Sequence, residues 1–441
     1  MRISIPHIHK IEGEAGFWAE VAKTGQIKEL RLKTLQGLRQ IEGILVGRKV
    51  QEVPIVVSRI CGICPVVHIL NACMALEKAL EIKVPVSTDL LRKLFLASQI
   101  IHSHALHLFF LSLPDFLDTS TSLSVKGERS RTIDIENDLD LLKKFKKEAR
   151  AAIKIRDFAL KITETIGGRK VHPITPTIGG FRKLPPKEEL KKILIDFPSV
   201  LNSAAFLTKT FQNLTYPVFK RKINFASLFS RKEYPFFQEN LIKISDDKIS
   251  IGDFYSNKIE EDFKIPPVKK TKYKGEPYML GALGRIKNNG QLLSFQAKES
   301  LERFLKKNNL SEEDFFGSSF YNLFSQIIEI LHFLELSRNL IKEILESDLE
   351  EAQKDFKIDK GSGLSAMEAP RGTLFTYFEI DKGGRILNCN IITPTAQFLN
   401  NLEEDLRFYL PNISKLSQKE KIRKIRALIR VYDPCISCAT H

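Results

Sequence analysis

The sequence predicts an α+β fold that is mainly α: a core bundle of long helices with one β-hairpin near the N-terminal end and another near the C-terminal end. Three observations predict it. Apolar residues recur at three- and four-residue steps over several stretches of helical length. Alternation of apolar and polar residues is confined to regions near the two ends. A C-x-x-C pair stands near each end, so the ends are expected to meet. No internal repeat or low-complexity linker divides the chain, which reads as one multi-lobed unit over residues 1–441.

Residues 1–60 hold alternating segments around 3–5 and 16–35, broken at Thr24-Gly25, and then a short helix at 38–47. Residues 61–215 form the helical core, with helices expected at 66–80, 90–113, 141–166 and 187–211. Pro114-Asp115 stops the second, Gly167-Gly168 closes the third, and the fourth is entered through Pro185-Pro186 and broken at Pro198. Residues 216–310 carry short strands and Lys/Phe-rich pieces and read as an irregular surface elaboration. Residues 311–441 return to a long helix at 320–346, with Leu323, Ile327, Ile330, Leu331, Leu334 and Ile341 on one stripe. A hairpin at 374–392 turns through Asp381-Lys382-Gly383-Gly384, and helices around Asn400 and Ile422 lead to the second cysteine pair.

Composition excludes several classes. With 43% hydrophobic residues and 23 glycines in 441, the chain is neither disordered nor collagen-like, and 6 cysteines are too few to staple it. The 68 Lys+Arg against 53 Asp+Glu give a net charge of +15. The densest basic stretches, 143–154 and 419–430, have amphipathic helical spacing, so they read as solvated helix faces and no nucleic-acid partner is expected. No uninterrupted apolar run approaches the ~18 residues of a membrane span, and the first residues lack the apolar stretch of a signal peptide. A soluble cytoplasmic chain in a reducing compartment is the expectation.

The chemistry concentrates in two segments. In Arg59-Ile-Cys-Gly-Ile-Cys-Pro-Val-Val-His68, Cys61 and Cys64 stand at the entry to a helix, where free backbone N–H groups and the helix dipole favour thiolates, with Arg59 adding positive charge. In Asp433-Pro-Cys-Ile-Ser-Cys-Ala-Thr-His441, Pro434 fixes the backbone before Cys435, so a compact turn can aim Cys435 and Cys438 at one point. Four such thiols suit a structural zinc or a functional metal; each pair alone suits a redox disulfide. Zinc ribbons hold their pairs within tens of residues, whereas nearly the whole chain separates these. No βαβ pattern surrounds either pair, which argues against thioredoxin-like chemistry.

These two motifs, at opposite ends of one chain, resemble those of the large, catalytic subunit of nickel-iron hydrogenases, in particular the cytoplasmic group that reduces pyridine nucleotides or related soluble carriers. His9-Lys-Ile-Glu-Gly13 is similar to the family's R-I-E-G-H, with Lys10 for Arg and Glu14 for His. Leu38-Arg-Gln-Ile-Glu-Gly43 with Gly47-Arg48, Ser103-His-Ala-Leu-His107 with Pro114-Asp115, and Ala369-Pro-Arg-Gly372 are further family patterns. The resemblance runs from end to end, except over 216–307.

The resemblance implies a set of roles. Cys61 and Cys435 would be terminal ligands to nickel, and Cys64 and Cys438 would bridge nickel to an iron carrying carbon monoxide and two cyanides; soft thiolates suit such metals. Arg371 would stand over the open face of the metals, held by Asp115 and Asp433, and Thr395 would donate to a cyanide. His68 would hydrogen-bond a bridging sulfur. Glu12 would take the proton from a thiolate. Glu42, His441 and the Ile391 carbonyl would bind a second metal, magnesium or iron. Cys73 and Cys389 match no motif and read as small core residues.

The implied function is reversible cleavage of dihydrogen into protons and electrons. Two remaining cysteines cannot hold an iron-sulfur cluster, and no G-x-G-x-x-G follows a strand, so the electrons need an iron-sulfur small subunit, with flavin- and NAD(P)-binding subunits and further iron-sulfur subunits beyond it. Family members are made with nickel-insertion proteins and a protease that removes a C-terminal extension after the final His, so a chain ending at His441 would be the mature form or one made without the extension. A hydrogen sensor or membrane-complex member of the same fold, and a zinc-stabilised structural protein, are the alternative readings.

Overall fold

The computed structural model describes residues 2–22, 27–37, 39–117, 138–262, 268–352 and 356–440. Near the N-terminus β1 (Arg2–Ile5), β2 (Ala15–Val21) and β3 (Ile27–Thr34) form an antiparallel sheet in that order, one strand more than the expected hairpin. The Thr24-Gly25 turn lies outside the described residues. The helical core then runs through α1 (Pro65–Ala79), α2 (Val86–Leu106), α3 (Lys146–Gly167) and α4 (Lys187–Gln212).

Two expected helix breaks are absent. Pro198 sits inside α4 on an exposed face, where the Leu194 carbonyl it leaves unbonded can turn to water. Past α2 the helix continues through a π turn, His107–Ser112, into Leu113–Phe116, with Pro114 in the first turn of that last piece, where a missing N–H costs nothing. The span Val86–Phe116 is long and apolar enough to cross a bilayer, with a mean hydropathy of 1.4 over its best 18 residues, unlike the expectation from uninterrupted runs. That window is 83% buried inside the chain itself, packed on α3 and on the later helix Asn322–Glu346, so its apolar character is spent on the core.

Segment 216–310 is more ordered than expected. Strands β4 (Ala226–Phe229), β5 (Leu241–Ile244) and β6 (Asp247–Ser250) form a sheet over a small core of Leu228, Ile242, Phe254 and Tyr278, which reaches Phe375 and Ile392 of the C-terminal strands. These strands are too short for alternation to declare them. Helix α5 (Asn322–Glu346) follows, and then β7 (Gly361–Ala369), β8 (Gly372–Ile380) and β9 (Ile386–Ile392) in one antiparallel sheet. Helices α6 (Pro394–Asn412) and α7 (Gln418–Val431) close the fold before the second cysteine pair.

Strand β7 was not legible because its glycines imitate a turn. They are there for contact: a Cβ on Gly363 would lie 2.0 Å from the Ala75 carbonyl oxygen, so only glycine lets the strand rest on the α1 backbone. That contact places the β7–β8 hairpin tip, Pro370-Arg371, beside the helix whose N-terminus carries Cys64. Buried ion pairs fasten the same layers. Arg92 of α2 bonds Glu77 of α1 at 2.5 and 2.8 Å, with both side chains nearly inaccessible.

Gly363→Ala should therefore force β7 off α1 and lower the melting temperature, overpacking of this kind costing about 1–3 kcal/mol. Gly43→Ala, whose added Cβ meets nothing nearer than 4.0 Å, is the control. Equal melting temperatures for the two variants would contradict the close-packing account.

Candidate metal centre

Four sulfurs from the two ends of the chain converge. The Sγ atoms of Cys61, Cys64, Cys435 and Cys438 all lie within 4.8 Å of one another, and all four residues are buried. Cys61 Sγ is 3.5 Å from Cys435 Sγ, and Cys64 Sγ is 3.3 Å from Cys438 Sγ. Cys64 is the residue before Pro65 at the start of α1, and Cys435 precedes a short helix, Ile436–Ala439. The first pair is thus set on a helix entry, as expected, and the second, for which a compact turn was expected, opens a short helix as well. Cys435 and Cys438 are joined as a disulfide, which the sequence reading did not expect. Their Cα atoms are 5.3 Å apart, inside disulfide range, and a four-thiolate site requires the pair reduced.

Local donors set the charge of the first pair. The backbone N–H groups of Ile63 and Cys64 reach Cys61 Sγ at 3.3 and 3.4 Å. The hydrogen bond from the Cys64 thiol lowers the pKa of Cys61, and the Arg371 charge helps, against burial and Glu12. Cys64 is raised in turn by that hydrogen bond and by burial. Arg59, expected to supply positive charge here, has an exposed side chain; the cation beside the sulfurs is Arg371, delivered from a remote hairpin.

Arg371 occupies the two-residue turn between β7 and β8. Its Nε donates to the Asp433 carbonyl at 2.6 Å and its Nη2 to Asp433 Oδ1 at 2.8 Å. Asp433 adopts φ 52°, a left-handed conformation that Asp tolerates better than most residues. Burial opposes the charge on Arg371, and Asp433 and the nearby thiols hold it protonated. The expected partnership of Asp115 with Arg371 is not made. Asp115 instead takes Arg430 Nη1 at 2.8 Å on each oxygen, and Arg430 Nε donates to the His9 carbonyl at 2.8 Å. Asp115 follows the π turn, and this pair links that turn, α7 and the N-terminal segment; only Asp433 reaches the guanidinium.

Glu12 lies against the sulfurs. Cys435 Sγ lies 3.0 Å from Glu12 Oε2, the Ser437 amide donates to the same oxygen at 3.1 Å, and the Ser437 hydroxyl bonds Oε1. A parallel backbone bridge pairs Glu12 with Cys435, and Ile436 N donates to the Glu12 carbonyl at 2.9 Å. Glu12 is half-buried, whereas Glu14 is exposed. A small cavity opens beside the cluster, walled by Ala369, Leu374 and Pro394, with Cys64, Cys435, Cys438, His68, Arg371 and Thr395 on it. Thr395 Oγ1 accepts the Cys435 amide at 3.1 Å, leaving its own proton to donate. Arg371 Nη1 is buried and has no hydrogen-bond partner among the described residues.

Three positioning residues were missed as such. Arg39 donates to the carbonyls of Arg59 (3.2 Å), Ile60 (2.6 Å) and Ser437, and its amide donates to the Thr440 carbonyl at 2.9 Å, so one side chain clasps both cysteine segments. It stands in the Leu38-Arg-Gln-Ile-Glu motif, which could have pointed to it. Arg285, from the stretch without a motif, is fully buried and bonds Glu329 twice at 2.7 Å and Glu368 at 2.9 Å. It also donates to the Ala369 and Pro370 carbonyls at 2.9 and 3.1 Å, holding the hairpin tip that presents Arg371. Ser437 is the third; only its place between the cysteines hinted at it.

Glu42 and the Ile391 carbonyl, expected around a second metal, do come together, with Lys269 between them. His441 lies outside the described residues. Cys73 and Cys389 are buried apart from the cluster, on α1 and β9; burial pushes the Cys73 thiol up to about 12.

A family model described as nickel-dependent hydrogenase matches residues 39–190 and 231–441. The alpha subunit of sulfhydrogenase 1 from Pyrococcus furiosus is 31% identical over 446 residues, covering 100% of this chain and 97% of the relative. The beta subunit of the NAD-reducing hydrogenase HoxS from Cupriavidus necator is 25% identical over 483 residues, covering 100% and 94%. The crystal structure of an NAD+-reducing NiFe hydrogenase in its H2-reduced state superposes with a TM-score of 0.84 at 25% identity, covering 100% of this chain and 99% of that one. The NiFeSe hydrogenase of Desulfovibrio vulgaris Hildenborough, 22% identical, has the same fold with a TM-score of 0.78. With a matching family model over most of its length and a relative aligned end to end, the chain belongs to the large-subunit family of nickel-dependent hydrogenases.

Proposed function

We propose that this hydrogenase subunit cleaves dihydrogen reversibly and heterolytically at a nickel-iron group held by Cys61, Cys64, Cys435 and Cys438. Cys61 and Cys435 would serve nickel, and Cys64 and Cys438 would be shared with an iron that would also carry carbon monoxide and two cyanides. The residues fit the group: four soft sulfurs converge, and Cys64, Cys435 and Cys438 border the small cavity. Its apolar walls suit diatomic ligands. The unpartnered Arg371 Nη1 and the Thr395 hydroxyl supply donors for anionic ones, and His68 is there to hydrogen-bond a bridging sulfur.

When bound, the metal group supplies the site at which dihydrogen is polarised and split. The protein then moves the proton. The observation that carries the reading is the 3.0 Å contact of Cys435 Sγ with Glu12 Oε2, which makes Glu12 the first acceptor beyond the thiolate. Ser437, through its hydroxyl and amide, fixes the carboxylate in that position. Arg371, pinned by Asp433, offsets the negative charge of the thiolates and points its remaining N–H at the reacting face.

Electrons leave to an iron-sulfur small subunit and onward, through flavin- and NAD(P)-binding subunits with their own clusters, to a soluble acceptor. The similarity to subunits of sulfhydrogenase and of an NAD-reducing enzyme supports this route. Nickel-insertion proteins and a maturation protease would load the site. A cytoplasmic setting, with its low thiol potential, suits a centre built from four reduced cysteines.

Infrared spectra of the purified complex test the reading: carbon monoxide and cyanide bands are expected, and their absence from a nickel-containing sample would overturn it. In Cys435→Ala the site loses a thiolate with no substitute, so nickel content and hydrogen oxidation should both fall to background, whereas Cys73→Ala should keep both.

Arg371→Lys keeps the charge but loses the rigid fork. Nickel should still load while turnover drops by about 10²–10³-fold, the range seen for removing one donor at a reacting centre. An apo-protein instead would make Arg371 a purely structural residue.

Glu12→Gln keeps the shape and the hydrogen bonds but cannot carry a proton. Dye reduction and exchange with deuterated water should fall by about 10²–10⁴-fold, while conversion between the nuclear-spin isomers of dihydrogen persists. Solvent exchange at the wild-type rate would pass the role to another acceptor, such as Glu14.

A further inference from the structure

We infer that His107, the last residue of the Ser103-His-Ala-Leu-His107 motif, is a positioning residue for Asp433 and through it for Arg371, a role that rests on Arg371 standing at the reacting face as proposed above. His104 and His107 are three residues apart, so they share one face where α2 passes into the π turn. Gln326 and Glu329, also three apart, face them from α5. His104 Nε2 meets Glu329 Oε2 at 2.8 Å, and His107 Nδ1 meets Gln326 Oε1 at 2.6 Å. All four side chains are buried.

A carbonyl oxygen can only accept, so the 2.7 Å contact of His107 Nε2 with the Arg430 carbonyl is a donation from the ring. That same carbonyl accepts the Asp433 amide at 2.8 Å. Asp433 receives Arg371 Nε on its backbone carbonyl and Nη2 on its carboxylate, so the place of its backbone decides the place of the guanidinium. The π turn serves this arrangement. Its wider pitch sets residue i+5 over residue i, and Ser112 Oγ lies 2.8 Å from His107 Nε2. Asp115, just beyond, takes the Arg430 guanidinium at 2.8 Å, so one stretch of chain grips residue 430 by backbone and by side chain. Arg371 itself is referred to the same helix face. His104 meets Glu329, Glu329 binds Arg285, and Arg285 donates to the Ala369 and Pro370 carbonyls just before Arg371.

The test is made on the purified, metal-loaded complex, with crystal structures reading the Arg371–Asp433 contacts and infrared cyanide bands reading the donors around the metals. His107→Phe keeps the ring and removes both nitrogens. Nickel should still load, the Arg371–Asp433 contacts should lengthen, the cyanide bands should shift, and turnover should fall by about 10–10²-fold, the scale of a displacement of roughly 1 Å at a reacting centre. His107→Gln, whose amide nitrogen can reach the Arg430 carbonyl, should restore most of the turnover and the original bands. Added to Arg371→Lys, His107→Phe should cost little more, because it acts through that arginine. Ser98→Ala breaks a buried 2.9 Å contact between α2 and Thr163 of α3; it should lower the melting temperature and leave the bands in place. Unmoved contacts and bands in His107→Phe, equal shifts in Ser98→Ala, or a fully additive loss on Arg371→Lys would each overturn the inference. If His107→Phe yields no complex, Gln326→Leu decides, since it frees the ring from α5 without touching Arg430: shifted bands support the role and unmoved bands overturn it. A wild-type complex with nickel but no carbon monoxide or cyanide bands overturns the nickel-iron reading instead, and the crystallographic contacts then decide this one.

Discussion

The parallel backbone bridge between Glu12 and Cys435 is the constraint on which the rest depends. A ligand set drawn from the two ends of a long chain is useful only if the ends are held to within a fraction of an ångström, and thiols alone cannot do that. The bridge lays the N-terminal segment beside the C-terminal cysteine turn, and Arg39 clasps the carbonyls of both cysteine segments. Registering the ends through backbone groups also sets Glu12 against Cys435, so the proton acceptor is placed by the same contact that assembles the sulfurs.

Around that bridge the fold spends buried charge on position. Arg371 depends on Asp433, its hairpin tip is held by Arg285, and Arg285 is anchored on Glu329 and Glu368. Removing one member of such a set leaves an uncompensated charge in the interior, at a cost of about 3–5 kcal/mol, so the chain of pairs transmits rigidity from α5 to the cavity. Asp115 belongs to a different set, with Arg430, that ties the π turn to α7 and the N-terminal segment. Family motifs name both aspartates; only the tertiary structure separates their tasks.

Much of the fold and most of the site could be read from residue order. The long helices were visible because an amphipathic face repeats along tens of residues, and the cysteine pairs because their spacing on a helix entry is itself the chelating geometry. Glu12, Arg371, Thr395 and Asp433 were reached through motifs, and the structure brings all four to the sulfurs. Strand β7 and the sheet β4–β6 were not visible. Gly363 serves a contact with Ala75, four-residue strands carry no period, and both facts concern partners that sequence does not display.

By itself the sequence determined the kind of chemistry: four thiols in two pairs, a carboxylate and a guanidinium in recognisable settings, and a helical body to hold them. Tertiary structure alone decided which charges meet. Arg371 pairs with Asp433 and not Asp115, Arg59 faces outward, Ser437 holds Glu12, and Lys269 stands between Glu42 and Ile391. The physical reason is range. Helix periodicity and chelate spacing act over a few residues and are written locally, whereas an ion pair forms between groups brought within about 3 Å by the whole packed chain, and that separation is a property of the fold.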